Sequence, residues 1–148
     1  MKWLDIPPVW LAGMAFLTWH SRGPLGALSF GYGITQWIGA ALVAVGLILM
    51  VLAVLRMQAH RTTPIPHMSP NALVTDGIFA LTRNPIYLGD LFILSGLILR
   101  WNAPLAVPLV FLFQFILLLR FILPEEARMK EHFGAEFDQY AEKTRRWL

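Results

Sequence analysis

The stretch GIFALTRNPIYLGD, residues Gly77–Asp90, places polar side chains at the threshold of a long apolar segment. Tyr87 follows Arg83 by four residues and Asp90 follows Tyr87 by three, so the three can share one helical face. Polar groups at membrane depth are costly, and their default interpretation is functional. Alternatively, Arg83 extends to the membrane surface and Tyr87 belongs to an aromatic belt. That alternative leaves Asp90 unexplained, because a carboxylate inside a short span needs a partner.

A second pair of acids, Glu125 and Glu126, follows the last apolar segment and lies close in sequence to Arg120. A carboxylate accepts hydrogen bonds from a ribose diol or an ammonium group, and arginine offers a planar fork to an anion. In a soluble protein, two solvated acids at a helix start would be the simpler interpretation. At the end of a membrane span, the pattern predicts a ligand site.

Other kinds of chemistry find little support in this sequence. Cysteine is absent, so a thiol nucleophile, a Cys-ligated metal and a disulfide framework are excluded. Ser69 and Ser95 have no paired base nearby, and no phosphate-binding glycine motif occurs. Basic and aromatic residues are not interleaved as nucleic-acid binding would require. Metal-ligand spacing is missing among the four histidines, His20, His60, His67 and His132.

The composition predicts an integral membrane protein. The chain has 148 residues, of which 57% are hydrophobic and only 14% charged, and its mean hydropathy is +0.58. Soluble domains are about 25% charged. We expect one all-α domain over residues 1–148, a membrane helical bundle followed by amphipathic helices: two N-terminal spans in 1–57 and a cofactor-binding region in 58–148.

Apolar segments predict about four transmembrane helices, at Ile6–Trp19, Gln36–Met57, Ile86–Leu99 and Ala103–Ile122. The second is long enough to cross a hydrocarbon core of ~30 Å. The first could be a cleaved signal sequence, but no small-x-small cleavage site follows it, which favours a retained span. The third carries Gly89 and Gly96, whose spacing leaves a groove for another helix or a flat ligand.

The basic residues predict the orientation. With four spans, ten of the 12 lysines and arginines lie on one side of the membrane. The positive-inside rule then places both termini and the connection between the second and third spans in the cytoplasm. This connection is about 28 residues long, a length that often indicates function, and Asp76-Gly77 predicts a turn within it.

Two amphipathic helices are expected after the fourth span. Leu123-Pro124 with the two following acids is a helix start, and Glu126 can pair with Lys130 four residues later. Phe133-Gly134 predicts its end. A second helix is expected over Ala135–Thr144, with the apolar residues Phe137, Tyr140 and Ala141 on one face.

Two motifs together resemble a known family. ALVTDGIFALTRNPIYLGD (Ala72–Asp90) is followed, one hairpin later, by LPEEARMKEHFGAEFDQYAEKTRRWL (Leu123–Leu148). Their order is similar to that of the isoprenylcysteine carboxyl methyltransferase and phospholipid methyltransferase superfamily. The resemblance covers roughly Thr62–Leu148, over half of the chain.

The resemblance implies a membrane methyltransferase that uses S-adenosyl-L-methionine and releases S-adenosyl-L-homocysteine. Its other partners would be the lipid bilayer and a lipophilic or prenylated substrate, with no metal and no nucleic acid. Arg120 would orient the substrate together with Glu126. The implied cofactor-binding residues are Leu73, Val74, Gly77, Phe79, Asn84, Pro85, Tyr87, Leu88, Gly89, Glu125 and Glu126.

The sequence also departs from the family pattern. Asn71 and Asn84 stand where the eukaryotic carboxyl methyltransferases have histidine, and Phe79 replaces a tyrosine. These features resemble the bacterial branch and imply the bacterial inner membrane. They leave the acceptor open among an isoprenylcysteine-like carboxylate, another small carboxylate, a thiol and an amine.

Two other functions remain as alternatives. Sterol-type reductases that use NADPH share the C-terminal architecture, but this chain has no obvious additional basic cluster for a 2′-phosphate. A non-catalytic membrane assembly protein would need neither Asp90 nor the pair Glu125-Glu126.

Overall fold

A computed structural model describes residues 5–22, 30, 33–62 and 72–148. Asn71 and most of the first half of the long connection lie outside these residues. The described chain is helical and contains no strand, which confirms the all-α class. Its α-helices are α1 (Pro7–His20), α2 (Ile34–Ala59), α3 (Pro85–Arg100), α4 (Val107–Leu117), α5 (Leu123–Phe133) and α6 (Ala135–Lys143).

Shorter helical turns join these elements. A 3-10 turn at Gly77–Ala80 precedes α3, and another at Pro104–Ala106 precedes α4. A π-helix, Leu118–Ile122, joins α4 directly to α5. The amphipathic α5 therefore continues the apolar α4 as one long helical rod.

Two stretches among the described residues are long and apolar enough to cross a membrane, Ile34–Ala59 and Pro104–Phe133. Large apolar side chains along α2, such as Trp37 and Ile48, are exposed, as expected for a lipid-facing surface. The other two predicted spans form helices, but α1 has 14 residues and α3 has 16. Both fall short of the ~20 residues of a typical span. Four spans therefore stay a prediction.

Four glycines bring α2 and α3 into backbone contact. A Cβ atom added to Gly46 would lie 2.6 Å from the carbonyl oxygen of Gly89, and one added to Gly96 would lie 2.5 Å from that of Gly39. Small residues allow such close approach. The groove predicted at Gly89 and Gly96 is thus occupied by a helix.

The apolar core lies on another face of α3, against α1, α4 and the π-helix. Its fully buried side chains include Leu94 and Ile98 of α3, Phe113 and Leu117 of α4, and Ile122. Met14 brings α1 into the same cluster. Contacts with α1, α2 and α4 make α3 the central helix of the described bundle.

We expect Gly46→Ala to destabilise the protein by about 1–3 kcal/mol, because the added methyl group meets the backbone of α3 and overpacks the contact. Thermal unfolding in detergent measures the effect. Gly13→Ala in α1 is the matched control, because nothing lies within 4 Å of its added Cβ atom. Alanine there should be neutral or stabilise α1 by up to ~1 kcal/mol. Equal stability of the two variants would contradict the glycine contact.

Candidate functional site

An open pocket lies where the end of α2, the segment before α3, the start of α5 and α6 meet. Its empty space, including the solvent at its mouth, is about 500 Å³. Its apolar lining includes Met57, Val74, Phe79, Met129 and Phe137.

The loop on one side of the pocket is fixed to the end of α2. The Asp76 carboxylate pairs with Arg56 at 3.2 Å and with the His60 ring at 3.0 Å. Gly77 has φ +59°, and a Cβ atom there would lie 2.5 Å from Nε of Arg56. Only glycine fits this turn comfortably. The predicted turn at Asp76-Gly77 thus forms and presents Val74 and Phe79 to the pocket.

The segment from Phe79 to Asn84 is held by residues far along the chain. The Tyr140 hydroxyl donates to the carbonyl oxygen of Phe79 at 2.7 Å. The carbonyl oxygen of Arg146 accepts from Nδ2 of Asn84 at 2.9 Å and from Oγ1 of Thr82 at 3.2 Å. Burial raises the pKa of the Tyr140 hydroxyl, which therefore stays protonated as a donor. These bonds unite the pocket wall with α6 and the C-terminal segment, residues 144–148.

Glu126 forms an ion-pair cluster with two arginines. Arg146 binds its carboxylate with two nitrogens, Nε at 3.0 Å and Nη2 at 2.7 Å. Nη2 of Arg83 lies 3.5 Å from the same carboxylate. The hydrogen bond to Glu126 raises the pKa of the Arg146 guanidinium, so it stays charged. The expected partner Lys130 instead pairs with Asp138 of α6 at 3.0 Å, so that prediction is wrong.

Glu125 has a different neighbour. Its Oε2 accepts a hydrogen bond of 2.8 Å from the hydroxyl of Tyr87, which is itself buried at the start of α3. The Tyr87 side chain therefore ties α3 to α5 and orients a carboxylate that lines the pocket. The two neighbouring acids are thus positioned by different groups, Glu125 by a phenol and Glu126 by arginines.

A model of the phospholipid methyltransferase family matches residues 34–136, well over half of the chain. The chain belongs to the phospholipid methyltransferase family. This family is part of the isoprenylcysteine carboxyl methyltransferase-like superfamily, which confirms the resemblance in the motifs. No curated protein and no solved structure matches the chain significantly. Family membership and the two apolar helices indicate a membrane protein.

The structure of this phospholipid methyltransferase family member brings several residues of the predicted site together. Those that line the pocket are Val74, Phe79, Asn84, Glu125 and Glu126. Tyr87 reaches the pocket wall through Glu125.

The remaining predicted residues lie beside the pocket or behind its wall. Leu73 and Gly77 belong to the loop that the Asp76 carboxylate fixes to the end of α2. Pro85 and Leu88 are buried within α3. Gly89 packs against Gly46 of α2, where a helix takes the space that a ligand would need.

Arg120 lies apart from the pocket, although the resemblance pairs it with Glu126. It belongs to the π-helix, and its side chain is 54% exposed. Its Nε donates to Asp5 at 2.6 Å, and its guanidinium lies 5.5 Å from the ring of Trp10. The extra residue in a π-turn changes the direction of the side chains that follow it. Arg120 thus faces α1.

Two arginines contribute to the site beyond the predicted residues. Arg83 lines the pocket, and its Nε is buried without a hydrogen-bond partner among the described residues. The sequence does indicate a role for Arg83 in the site, because this residue directly precedes Asn84-Pro85 of the predicted site. Arg146 fixes Glu126, but nothing in its local sequence indicates a partner 20 residues away. Within the described ranges, no group of three or more metal-ligating side chains occurs.

We expect Glu126→Ala to lower the free energy of unfolding by about 1.5–3 kcal/mol, because it removes charge-assisted hydrogen bonds and leaves two arginines facing each other. Chemical unfolding in detergent measures the change. Glu142→Ala on the exposed side of α6 is the control and should stay within ~0.5 kcal/mol. In the double variant Glu126→Ala, Arg146→Ala, the loss should be smaller than the sum of the two single losses. Strict additivity would show that the pair is not coupled.

Proposed function

We propose that this family member is an S-adenosyl-L-methionine-dependent methyltransferase that modifies a lipophilic acceptor at the membrane boundary. The observation that carries the proposal is the combination of Arg83, Asn84 and Glu125 with aromatic side chains in one pocket. The pocket adjoins the beginning of α3 and the start of α5, where an apolar bundle meets polar helices.

The pocket residues fit the chemical groups of this cofactor. Its adenine ring is flat and matches an aromatic lining such as Phe79 and Phe137. Its carboxylate matches the guanidinium of Arg83, whose Nε has hydrogen-bonding capacity to spare. Its ammonium or ribose diol matches the carboxylate of Glu125, which lines the pocket. In this proposal Glu126 acts mainly by holding Arg83 and Arg146.

When bound, the cofactor supplies an electrophilic methyl group on a sulfonium, which reacts by in-line displacement. The main tasks of the protein are then to align the acceptor with the methyl group and to exclude water. Providing a nucleophile of its own is less important. Buried Phe79 and Tyr140 close the wall against water. Among the described residues, the site contains orienting polar groups and no Ser-His-Asp triad, which agrees with this mechanism.

The acceptor in this proposal is lipophilic and reaches the site from the bilayer. The family name favours a phospholipid, while an isoprenylcysteine-like carboxylate, another small carboxylate or a thiol are the other candidates. We also propose that Arg120 on the π-helix attracts an anionic group of the acceptor at the surface, where this group would replace Asp5 as the partner of the guanidinium. We further propose a single domain in the bacterial inner membrane, with the long connection and the C-terminus in the cytoplasm.

We expect saturable binding of S-adenosyl-L-methionine and S-adenosyl-L-homocysteine to the protein in nanodiscs, measured by calorimetry. Arg83→Met should weaken binding by about 10–100-fold, because a charge-assisted hydrogen bond is lost. Lys143→Met, an exposed cation of α6, is the control and should bind normally.

A parallel titration with NADPH tests the reductase alternative. NADPH binding without cofactor binding by the folded protein would contradict the proposed function. If neither compound binds, the assembly-protein alternative gains support.

A further inference from the structure

A cationic side chain is held between two tryptophans where α1 and α3 end. The guanidinium carbon of Arg22 lies 2.9 Å from the centroid of the Trp19 ring and 5.5 Å from that of the Trp101 ring. The two indole rings meet edge to face, with their centroids 5.2 Å apart. Arginine stacks on aromatic faces in this way. The tryptophan cluster, made of these three residues, therefore joins the end of α1 to the end of α3.

The tryptophan cluster lies far from the candidate functional site. α3 begins directly after Asn84, which lines the pocket, and ends at Arg100, directly before Trp101. Its 16 residues span about 24 Å at 1.5 Å per residue. The predicted topology puts this end of α3 at the membrane surface opposite the pocket, where tryptophan and arginine commonly meet lipid headgroups. A ligand of the cluster would therefore be distinct from a ligand of the pocket.

This end of the bundle carries positive charge that the chain itself does not balance. Residues 6–55 contain Arg22 as their only lysine, arginine, aspartate or glutamate, and residues 91–119 contain only Arg100. The described ranges include all nine acids of the chain, and none of them forms an ion pair with either arginine. A counter-charge for the two cations therefore has to come from another molecule.

Arg22 is fixed in place but incompletely bonded. Its Nε donates to the carbonyl oxygen of Trp19 at 3.1 Å, while the guanidinium lies over the ring of the same residue. Within the described part of the chain, neither Nη1 nor Nη2 of Arg22 forms a hydrogen bond. The N–H donors of both nitrogens therefore remain available. A phosphate group accepts hydrogen bonds from such a planar fork through two of its oxygens.

We propose that the tryptophan cluster binds the phosphodiester group of an anionic membrane lipid, of which phosphatidylglycerol is the simplest example. The Nη nitrogens of Arg22 donate to two phosphate oxygens, and the charge of Arg100 adds to the attraction. The bound lipid bridges the ends of α1 and α3 and so stabilises their packing. This site is independent of the proposed function, because it needs neither the pocket nor S-adenosyl-L-methionine.

Exposed apolar side chains beside the cluster favour a lipid over a free anion. Phe16 lies three residues before Trp19, so the two side chains share one face of α1. Phe16 is 62% exposed and Trp19 is 50% exposed. A lipid whose phosphate binds Arg22 can lay an acyl chain along this face, and the apolar contact adds to the ion pair. Inorganic phosphate gains only the ion pair, which is weak at an aqueous surface.

The test compares thermal unfolding of the full chain in dodecyl maltoside after addition of phosphatidylglycerol, phosphatidylcholine or inorganic phosphate. We expect phosphatidylglycerol to raise the unfolding temperature in a saturable way, because a ligand that binds only the folded state stabilises it. Phosphatidylcholine has no net charge and inorganic phosphate has no acyl chain. Both should therefore have little effect on the unfolding temperature at the same concentrations.

Substitutions of Arg22 locate the effect. Arg22→Met should raise the phosphatidylglycerol concentration at half of the full shift by about tenfold or more, because charge-assisted hydrogen bonds are lost. Arg22→Lys keeps the charge but loses the planar fork, so it should weaken binding by about threefold or more. Arg22→Lys decides the question if Arg22→Met does not fold. Lys143→Met, which removes an exposed cation of α6, is the control and should retain the affinity of the unchanged protein.

Three outcomes would overturn the proposal. Equal shifts with phosphatidylglycerol and phosphatidylcholine would show that no anionic headgroup is selected. An equal shift with inorganic phosphate would make the ligand a free anion. Full affinity of Arg22→Lys for phosphatidylglycerol would reduce the site to unspecific positive charge. A protein that binds no S-adenosyl-L-methionine would contradict only the proposed function.

Discussion

The two-pronged bond between Arg146 and Glu126 is the contact on which the pocket depends. Glu126 lies in the first turn of α5, directly after the apolar part of the α4–α5 rod. The backbone carbonyl oxygen of Arg146 also accepts hydrogen bonds from Thr82 and Asn84. One residue therefore joins α5 to the segment that leads into α3. Because the pair is partly shielded, with the Glu126 side chain 16% exposed, its hydrogen bonds are stronger than those of a surface pair.

The second constraint is the backbone contact between α2 and α3. Close approach at Gly39 and Gly46 fixes the position of α3 along the axis of α2. The end of α2 then meets Asp76 through Arg56 and His60, and so positions the loop that enters the pocket. The candidate site is consequently held by the packing of α2 against α3 and by the polar contacts of Asp76 and Glu126.

Much of this arrangement could be predicted from the sequence, because apolar length, proline and glycine act locally. α2, the end of α5 at Phe133 and the turn at Gly77 follow from such features. The motif residues Val74, Phe79 and Asn84 do line one pocket. The partners of Glu126 could not be predicted, because a local i,i+4 pair with Lys130 competes with a tertiary arginine fork that sequence spacing does not reveal. Arg120, which contacts Asp5 and Trp10 instead of the pocket, lies in a π-turn, for which the sequence offers no specific pattern.

The glycine contact also has a mechanical consequence. Two helices whose backbones touch at two levels cannot slide or separate without opening a void, because packed interfaces deform poorly. α2 and α3 should therefore move as one rigid body. Movement of α5, α6 or residues 144–148 relative to that body would have to break the hydrogen bonds that Tyr87, Phe79 and Asn84 form with them. In the proposed function, a lipophilic acceptor that arrives from the bilayer has to pass along another face of α3, because α2 and α3 leave no gap between them.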